Sequence, residues 1–356
     1  KEHLAVTGVK AYLNEEKKDN VSLALIGELD ALRISEHKYA NPETQGAHCC
    51  GHHAQLAGVI GAAIALTNPE VKEKLDGQVV LFAVPAEEYG EIEFKNKLTD
   101  EGKIKYGGGK CELIRIGAFD DIDLDIVHHI GDKDISVGSN SNNGFVSKVI
   151  RYKGVAAHAA GAPHLGVNAL NAASLGLSAL AYQRETFRDD DHVRIHPIIT
   201  KGGNLVNVVP DEVVIETLVR AANKDAIADA AAKTDRAFKA GAIAVGASCE
   251  ITTMPGYLPA LSEKADESVL AAAEIAAQTS EKDYQIVQED THAYSGGSTD
   301  VGDVQHLQPV LTFNTGGKVS GLHSVDFDIV DEELAYVVTA KIFALSAYRL
   351  LRDGAV

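Results

Sequence analysis

The stretch Gly46-Ala47-His48-Cys49-Cys50-Gly51-His52-His53 places three histidines and two cysteines within eight residues. Thiolate and imidazole suit zinc, and imidazole with carboxylate also suits manganese or iron, so donor type leaves the ion open. A bland alternative is a buried cysteine pair beside surface histidines. The choice turns on whether other segments supply further donors. Glu88 follows Glu87 in Pro85-Ala86-Glu87-Glu88, His129 follows His128, and His323 stands in Gly321-Leu322-His323-Ser324. A structural zinc closes locally over short spacings, whereas Cys50, His52, Glu88, His129 and His323 span over 270 positions. Such a set points to a catalytic site assembled by the fold, and five donors fit two ions better than one. Adjacent Glu87 and Glu88 differ in direction, so one can ligate while the other serves as general base for a metal-activated water. Asp30 can orient an imidazole ligand from behind.

The elements that would position these groups are legible as apolar runs. Val21 to Leu29, Gln78 to Val84 and Leu124 to Ile130 have the continuous apolar character of buried parallel strands. Each delivers acids or histidines at its C-terminal end, the edge where open α/β sheets build sites. Glu28 and Asp30 share strand parity, so both can point at one site. Ala54 to Leu66 is apolar nearly all round and predicts a buried helix with the histidines at its entry. Ala5 to Leu13 predicts a strand, followed by a charged turn over Asn14 to Asn20. Glu91 to Gly109 reads as a mobile loop with some helix, ending in three glycines, and Lys110 to Ile116 as a short helix. Ser139 to Gly144 is linker-like. Beyond it, Phe145 to Tyr152, Val193 to Thr200, Asn204 to Val209, Glu212 to Val219 and Cys249 to Thr253 predict strands. Val167 to Phe187 and Lys224 to Val245 predict helices, completing an α+β unit. After Pro255 the α/β style returns, with a helix over Asp266 to Ala277, a strand over Pro309 to Phe313 and a long helix over Asp331 to Leu351. The expected fold is therefore α/β, with a mixed, mainly parallel sheet. Residues 1–138 and 255–356 form its metal-binding domain, and an α+β domain is inserted at 139–254.

At 356 residues the chain is long enough for two domains, and 45% hydrophobic with 24% charged residues is the balance of a globular protein. A net charge of −18 argues against a nucleic-acid or anionic-membrane partner, without excluding an anionic substrate met by a local arginine. Four cysteines are too few for a disulfide framework in a chain of this size, which favours a reducing compartment. Lys1 to Lys10 lacks a signal-peptide apolar core, and no apolar run reaches the roughly 20 residues of a membrane span. A cytoplasmic protein is expected. Adjacent Cys49-Cys50 lacks the CxxC spacing of dithiol oxidoreductases.

Seven stretches, in order, carry a resemblance. They are Gly27 to Leu32, His48 to His52, Val84 to Glu88, Gly154 to Ala160, Gly203 to Pro210, Gly297 to Asp300 and Gly321 to Ser324. Together they resemble the amidohydrolase branch of the aminoacylase-type dinuclear metallopeptidases, which includes auxin-conjugate amidohydrolases and p-aminobenzoyl-glutamate hydrolase. The resemblance implies two divalent ions per subunit, manganese or zinc, held by Cys50, His52, Glu88, His129 and His323, with Glu87 as catalytic base. It implies that His158 stabilises the oxyanion, in a partner subunit's site, and that Asn207, Arg220 and Ser298 lie on the substrate side. It also makes the inserted domain a lid and a dimerisation surface, hence a homodimer. The implied reaction cleaves the amide of small molecules such as N-acyl amino acids, aminoacyl conjugates or dipeptides. Three departures stand out. His53 replaces the usual Asp or Asn and could bond or compete with a ligand. Glu28 stands where distant relatives have a histidine ligand. The chain also begins late, where relatives carry several tens of residues before the first motif strand. The rival reading is a non-catalytic metal- or substrate-binding protein on the same fold, against which the retention of both Glu87 and Glu88 weighs.

Overall fold

The computed structural model describes residues 1–17 and 20–352. Two residues of the expected charged turn, 18 and 19, and the last four positions of the chain lie outside them. In chain order the first unit contributes β1 (Val9–Tyr12), β2 (Ser22–Glu28), α1 (His52–Leu66), β3 (Gln78–Val84), α2 (Ile92–Asp100), α3 (Gly109–Arg115), β4 (Leu124–Ile130) and β5 (Ile135–Val137). A second group follows: β6 (Gly144–Lys153), α4 (Ala169–Gln183), β7 (Arg194–Ile195), β8 (Ile198–Lys201), β9 (Glu212–Ala221), α5 (Lys224–Val245) and β10 (Ser248–Pro255). The chain then adds α6 (Glu267–Gln278), β11 (Ile286–Gln288), α7 (Val301–Gln305), β12 (Val310–Thr315) and α8 (Thr339–Leu351).

The larger sheet has the order β1-β3-β2-β4-β12-β5-β11. Its centre is parallel, β3 with β2, β2 with β4 and β4 with β12, while β1 and β5 join antiparallel to β3 and β12. Helices cover both faces, so every residue of β2 is buried. On one face Leu23, Leu25 and Ile126 pack with Val59, Val269, Ile342 and Phe343 from α1, α6 and α8. On the other, Ala24, Ile26, Phe82 and Val127 pack with Leu113 and Phe119. The smaller sheet, β7-β9-β6-β10 with β8 also on β9, is antiparallel throughout. Alternate positions of its strands, such as Ile150, Tyr152, Val213 and Ile215, are buried under α4 and α5 with Phe238. The two sheets give the mixed α/β architecture expected, with a mainly parallel centre in the larger one.

Several local expectations change. Asn204 to Val209 is not a strand: Gly203 has φ +117° and only Val208 makes a bridge, to His158. A glycine pair, an asparagine and Pro210 leave too little extended chain to pair. The strand expected over Val193 to Thr200 is broken into β7 and β8, with Pro197, which lacks an N–H, in the gap. Ser139 to Gly144 is a packed crossing and not a free linker, since Asn143 is fully buried and Ser141-Asn142 pair with Tyr294-Ser295. The stretch after Glu91 holds a helix, α2, that buries Lys95. The long C-terminal helix opens as a π-helical segment, Glu333–Val338. Over Glu333–Leu351 it is long and apolar enough, at mean hydropathy 1.4, to cross a membrane by length and composition, yet 56% of it is buried within the protein. Strands β5 and β11 are three residues each and too short for any periodic signal.

Two glycine sites explain how the chain closes on the sheet edge. Gly51 has φ +92°, and a Cβ there would stand 2.6 Å from Ile130. Only glycine lets α1 start directly over the end of β4. At Gly107, Gly108 and Gly109 a Cβ would meet Tyr89, Tyr257 and the Pro85 carbonyl oxygen, the last at 1.5 Å. The triplet therefore lets α3 dock against the segment that carries Glu87.

Asp125 of β4 is fully buried. Its Oδ2 accepts a hydrogen bond from Gln308 Nε2 at 2.6 Å, and its Oδ1 has no partner. Burial pushes its pKa up to about 7. A carboxyl raised on folding contributes stability that is complete below its unfolded pKa, about 3.9, and is lost as pH rises towards 7. The stability of Asp125→Asn relative to the natural protein is expected to improve between pH 5 and 8, by roughly 2–3 kcal/mol in urea titrations. A difference independent of pH would contradict this assignment.

Candidate metal centre

The C-terminal ends of β2, β3 and β4 bring Glu28, the Glu87-Glu88 pair and His129 to one edge, and the N-terminus of α1 adds Cys50 and His52. His323 arrives from a loop where its own backbone is left-handed, φ +63°, and its N–H donates to the Cys49 carbonyl at 2.8 Å. Cys50 Sγ lies 3.3 Å from His129 Nε2 and 3.3 Å from His323 Nε2. Two donor groups share that sulfur: Cys50, His52 and His129, and Cys50, Glu88 and His323, each with ligand atoms within 4.8 Å of one another. The five expected ligands are thus brought together as two triads.

The donors face a common centre more than they face each other. His52 Nε2 is 3.0 Å from Glu28 Oε2, and His323 Nε2 is 3.0 Å from Glu88 Oε1. Yet His52 Nε2 and Glu88 Oε1 are buried without a hydrogen bond. Buried polar atoms are normally paired, and lone pairs converging without alignment are what a cation fits. Burial pushes the Cys50 thiol up to about 12, so the thiolate form calls for a positive partner. The donor set fits a pair of divalent ions.

The imidazole that Asp30 meets is that of His52. The Asp30 carbonyl is 3.0 Å from His52 Nδ1 and its Oδ1 is 3.5 Å away, while its Oδ2 accepts the Glu88 N–H at 2.7 Å. The acid pair is pinned from other elements as well. Ala86 has φ +56°, Tyr257 Oη donates to the Glu87 carbonyl, and Lys95 Nζ donates to the Glu88 carbonyl at 3.1 Å. Glu87 faces the cleft, half-buried. Burial, then the charges of Glu28 and Asp300, push its pKa well above the carboxylate range.

Beyond the ligands a cleft of about 510 Å³ is lined by Glu87, Phe145, Arg220, Ser298 and Leu322 among others. Arg220 and Ser298, both expected on the substrate side, are therefore present. The Arg220 guanidinium sits 5.7 Å from the Phe145 ring, and Ser298 Oγ is buried without a partner. His158 and Asn207 are not. They adjoin each other on two exposed loops beside the smaller sheet, where Ala159 N–H donates to the Asn207 carbonyl at 3.0 Å. His158 Nδ1 accepts the Gly161 N–H at 3.0 Å, and the residue lines no part of this chain's cleft.

The expectation that His53 bonds or competes with a ligand fails, because its ring turns to His48, Phe327 and Tyr336. His128 points to the α8 side of the sheet, 2.7 Å from Thr315 and against Phe343. Cys49 is fully buried beside Ala54 and Ile130, a packing residue. Sequence reasoning missed Lys110, Gln55, Tyr257 and Lys95. The glycine triplet before Lys110 was the one available signal, since no spacing rule links a helix residue to acids 82 positions before and 190 after.

The chain matches Peptidase family M20/M25/M40 over residues 24–347 and belongs to it. Among curated proteins it is 29% identical to Xaa-Arg dipeptidase of Mus musculus, over 57% of this chain and 43% of that protein. It is 30% identical to a p-aminobenzoyl-glutamate hydrolase subunit of Escherichia coli, over 56% of this chain and 39% of that protein. It is 33% identical to N-acetyl-L-cysteine deacetylase of Bacillus subtilis, over 60% and 49%. The chain thus spans about half, or less, of the length of these relatives. Among solved structures it is similar to a dinuclear metal binding peptidase of the same family from Bacillus subtilis. That match has a TM-score of 0.63 and 25% identity, covering 97% of this chain and 85% of that one. The fold is shared with the aminobenzoyl-glutamate utilization protein of Klebsiella pneumoniae, at TM-score 0.64 and 18% identity, over 98% and 75%.

If Cys50 is common to both triads, its loss should affect both ions, whereas His323 belongs to one. After loading with manganese or zinc and desalting, elemental analysis is expected to find about two ions per chain, near none in Cys50→Ser and about one in His323→Ala. Equal loss in the two variants would contradict the shared-sulfur arrangement.

Proposed function

We propose that this chain is a metal-dependent amidohydrolase that cleaves the amide bond of an N-acyl amino acid, an aminoacyl conjugate or a dipeptide. The observation that carries this is the position of Glu87. It is a carboxylate that belongs to neither Cys50-centred triad, held at the cleft wall by a pinned backbone, with its pKa raised. The names of the relatives, dipeptidase, glutamate-conjugate hydrolase and deacetylase, support the same bond type. Two divalent ions, manganese or zinc, held by Cys50, His52, Glu88, His129 and His323 would polarise the amide carbonyl and acidify a water near neutral pH.

The chain's own groups do the rest. Glu87 takes the proton of the attacking water on a carboxylate oxygen and returns it to the leaving nitrogen. Its raised pKa suits this, since nearby cations would lower it towards the working pH. Asp30 holds His52 from behind through Nδ1, which leaves Nε2 free for an ion. Arg220, backed by the Phe145 ring, offers a guanidinium fork to a substrate carboxylate, and Ser298 offers an unpaired hydroxyl. His158, outside this chain's cleft, fits the reading that it completes the oxyanion site of a partner subunit, and Asn207 beside it would hold a substrate carbonyl or carboxylate there. A homodimer formed through residues 139–254, acting on a small-molecule amide in the cytoplasm, is part of the proposal.

Glu87→Gln is expected to retain its metal content and lose about 10²–10⁴-fold in kcat on a substrate found by screening acyl-amino acids and dipeptides. Normal turnover in that variant would sink the mechanism. A metal-loaded natural chain inert to the whole screen would favour the binding-protein reading. Arg220→Ala is expected to raise KM by about tenfold or more for substrates with a free carboxylate, and much less for their amides. Equal effects on both would remove Arg220 from carboxylate recognition.

A further inference from the structure

A third donor group surrounds the centre besides the two that share Cys50. Glu28, His52 and Glu87 each place one atom within 4.8 Å of the others. Glu28 Oε2 stands 3.0 Å from His52 Nε2 without the alignment of a hydrogen bond. By distance alone, Glu28 is a sixth candidate donor beside the five already named.

The rest of its surroundings hold it back. Its Oε1 accepts from Lys110 Nζ at 2.5 Å, and its Oε2 accepts from Gln55 Nε2 at 2.8 Å. Gln55 Oε1 in turn accepts the Glu28 N–H at 2.8 Å, so one amide clamps both the side chain and the backbone of Glu28. Lys110 is fully buried. Its ammonium meets Asp300 Oδ1 at 2.5 Å, and its backbone N–H donates to Asp300 Oδ2 at 2.8 Å. The Gly109 contact with the Pro85 carbonyl brings this lysine close enough to reach across the floor.

We propose that Lys110, with Gln55, is a positioning residue that withholds Glu28 from the metal centre. The coordination set then stays at Cys50, His52, Glu88, His129 and His323, and Glu28 acts as a fixed negative charge beside His52. This rests on the metal-centre reading above. To ligate through Oε2 Glu28 must turn from the Gln55 donor, and to ligate through Oε1 it must leave Lys110, which would strand a buried lysine with one acid instead of two. Without the lysine, the same carboxylate is a buried charge with no counter-ion, and the nearest cation becomes the metal. An added oxygen donor would change ligand number and shift the site towards oxygen-preferring ions.

Cobalt(II) in the full chain reads this directly, because its ligand-field and thiolate charge-transfer absorptions report the donor set independently of turnover. Glu28→Gln alone is expected to leave the cobalt spectrum unchanged. Lys110→Met is expected to alter the ligand-field bands and to slow chelator-driven cobalt release by about tenfold. The double variant Lys110→Met/Glu28→Gln is expected to return both to the natural values. A changed spectrum in Glu28→Gln would show that Glu28 already ligates and would overturn the proposal, even if Lys110→Met fails to fold. A folded Lys110→Met identical to the natural protein, or a change that Glu28→Gln does not reverse, would overturn it too. Each of these three results leaves the metal-centre reading intact. Only a natural chain that takes up no cobalt would remove both.

Discussion

Gathering Glu28, Asp30, Glu87, Glu88 and Asp300 around one cleft, beside the thiol of Cys50, is the constraint on which the rest of the structure depends. Like charges in a low-dielectric site repel strongly, and each must be paired, hydrogen-bonded or left for a cation. The chain uses all three solutions. Lys110 compensates Glu28 and Asp300 from below. Burial works against a charged Glu28, but Lys110 and then His52 outweigh it and hold its pKa well below the usual range. Asp30 is spent on His52 and on the Glu88 N–H. Glu88, Cys50, His52, His129 and His323 remain with lone pairs aimed at shared points.

The sheet makes that concentration of charge possible. Three parallel strands buried on both faces end side by side, so their polar ends emerge at one edge while the apolar bodies supply the stability. Close approaches at Gly51 and at Gly107 to Gly109 bring α1 and α3 up to the same edge. Helix docking therefore builds the charged floor, while the donor rim also takes Glu87, Glu88 and His323 from loops. The smaller sheet contributes from the opposite side. Arg220 lies on β9 next to Phe145 of β6, its register partner, so the substrate-side cation is carried on a rigid strand pair. His158 and Asn207 stand on the same domain, yet away from this cleft.

Much of this was legible from sequence because parallel strands write themselves as apolar runs. The bounds of β3 and β4 coincide with the runs over Gln78 to Val84 and Leu124 to Ile130, and α5 with Lys224 to Val245. The metal-type residues stood at the ends of these runs, and local chemistry was enough to nominate them. Strand parity suggested that Glu28 and Asp30 point at one site, but not which imidazole Asp30 would meet. The errors fell where local pattern is weak. Asn204 to Val209 has strand-type residues but is bounded by glycines and proline, and His53 looks like a ligand because it adjoins one.

By itself the sequence determined the class of fold, nominated the donors Cys50, His52, Glu88, His129 and His323, and carried the motifs of a hydrolase family. These depend on residue type, on periodicity within single elements and on the order of short motifs along the chain. Tertiary structure decided what depends on contacts between distant elements. It set which donors share Cys50, turned His53 and His128 away, and kept His158 apart from the cleft that Arg220 reaches. It also placed Lys110 between Glu28 and Asp300, a charge balance invisible in sequence because its three members meet only when α3 packs on the sheet edge.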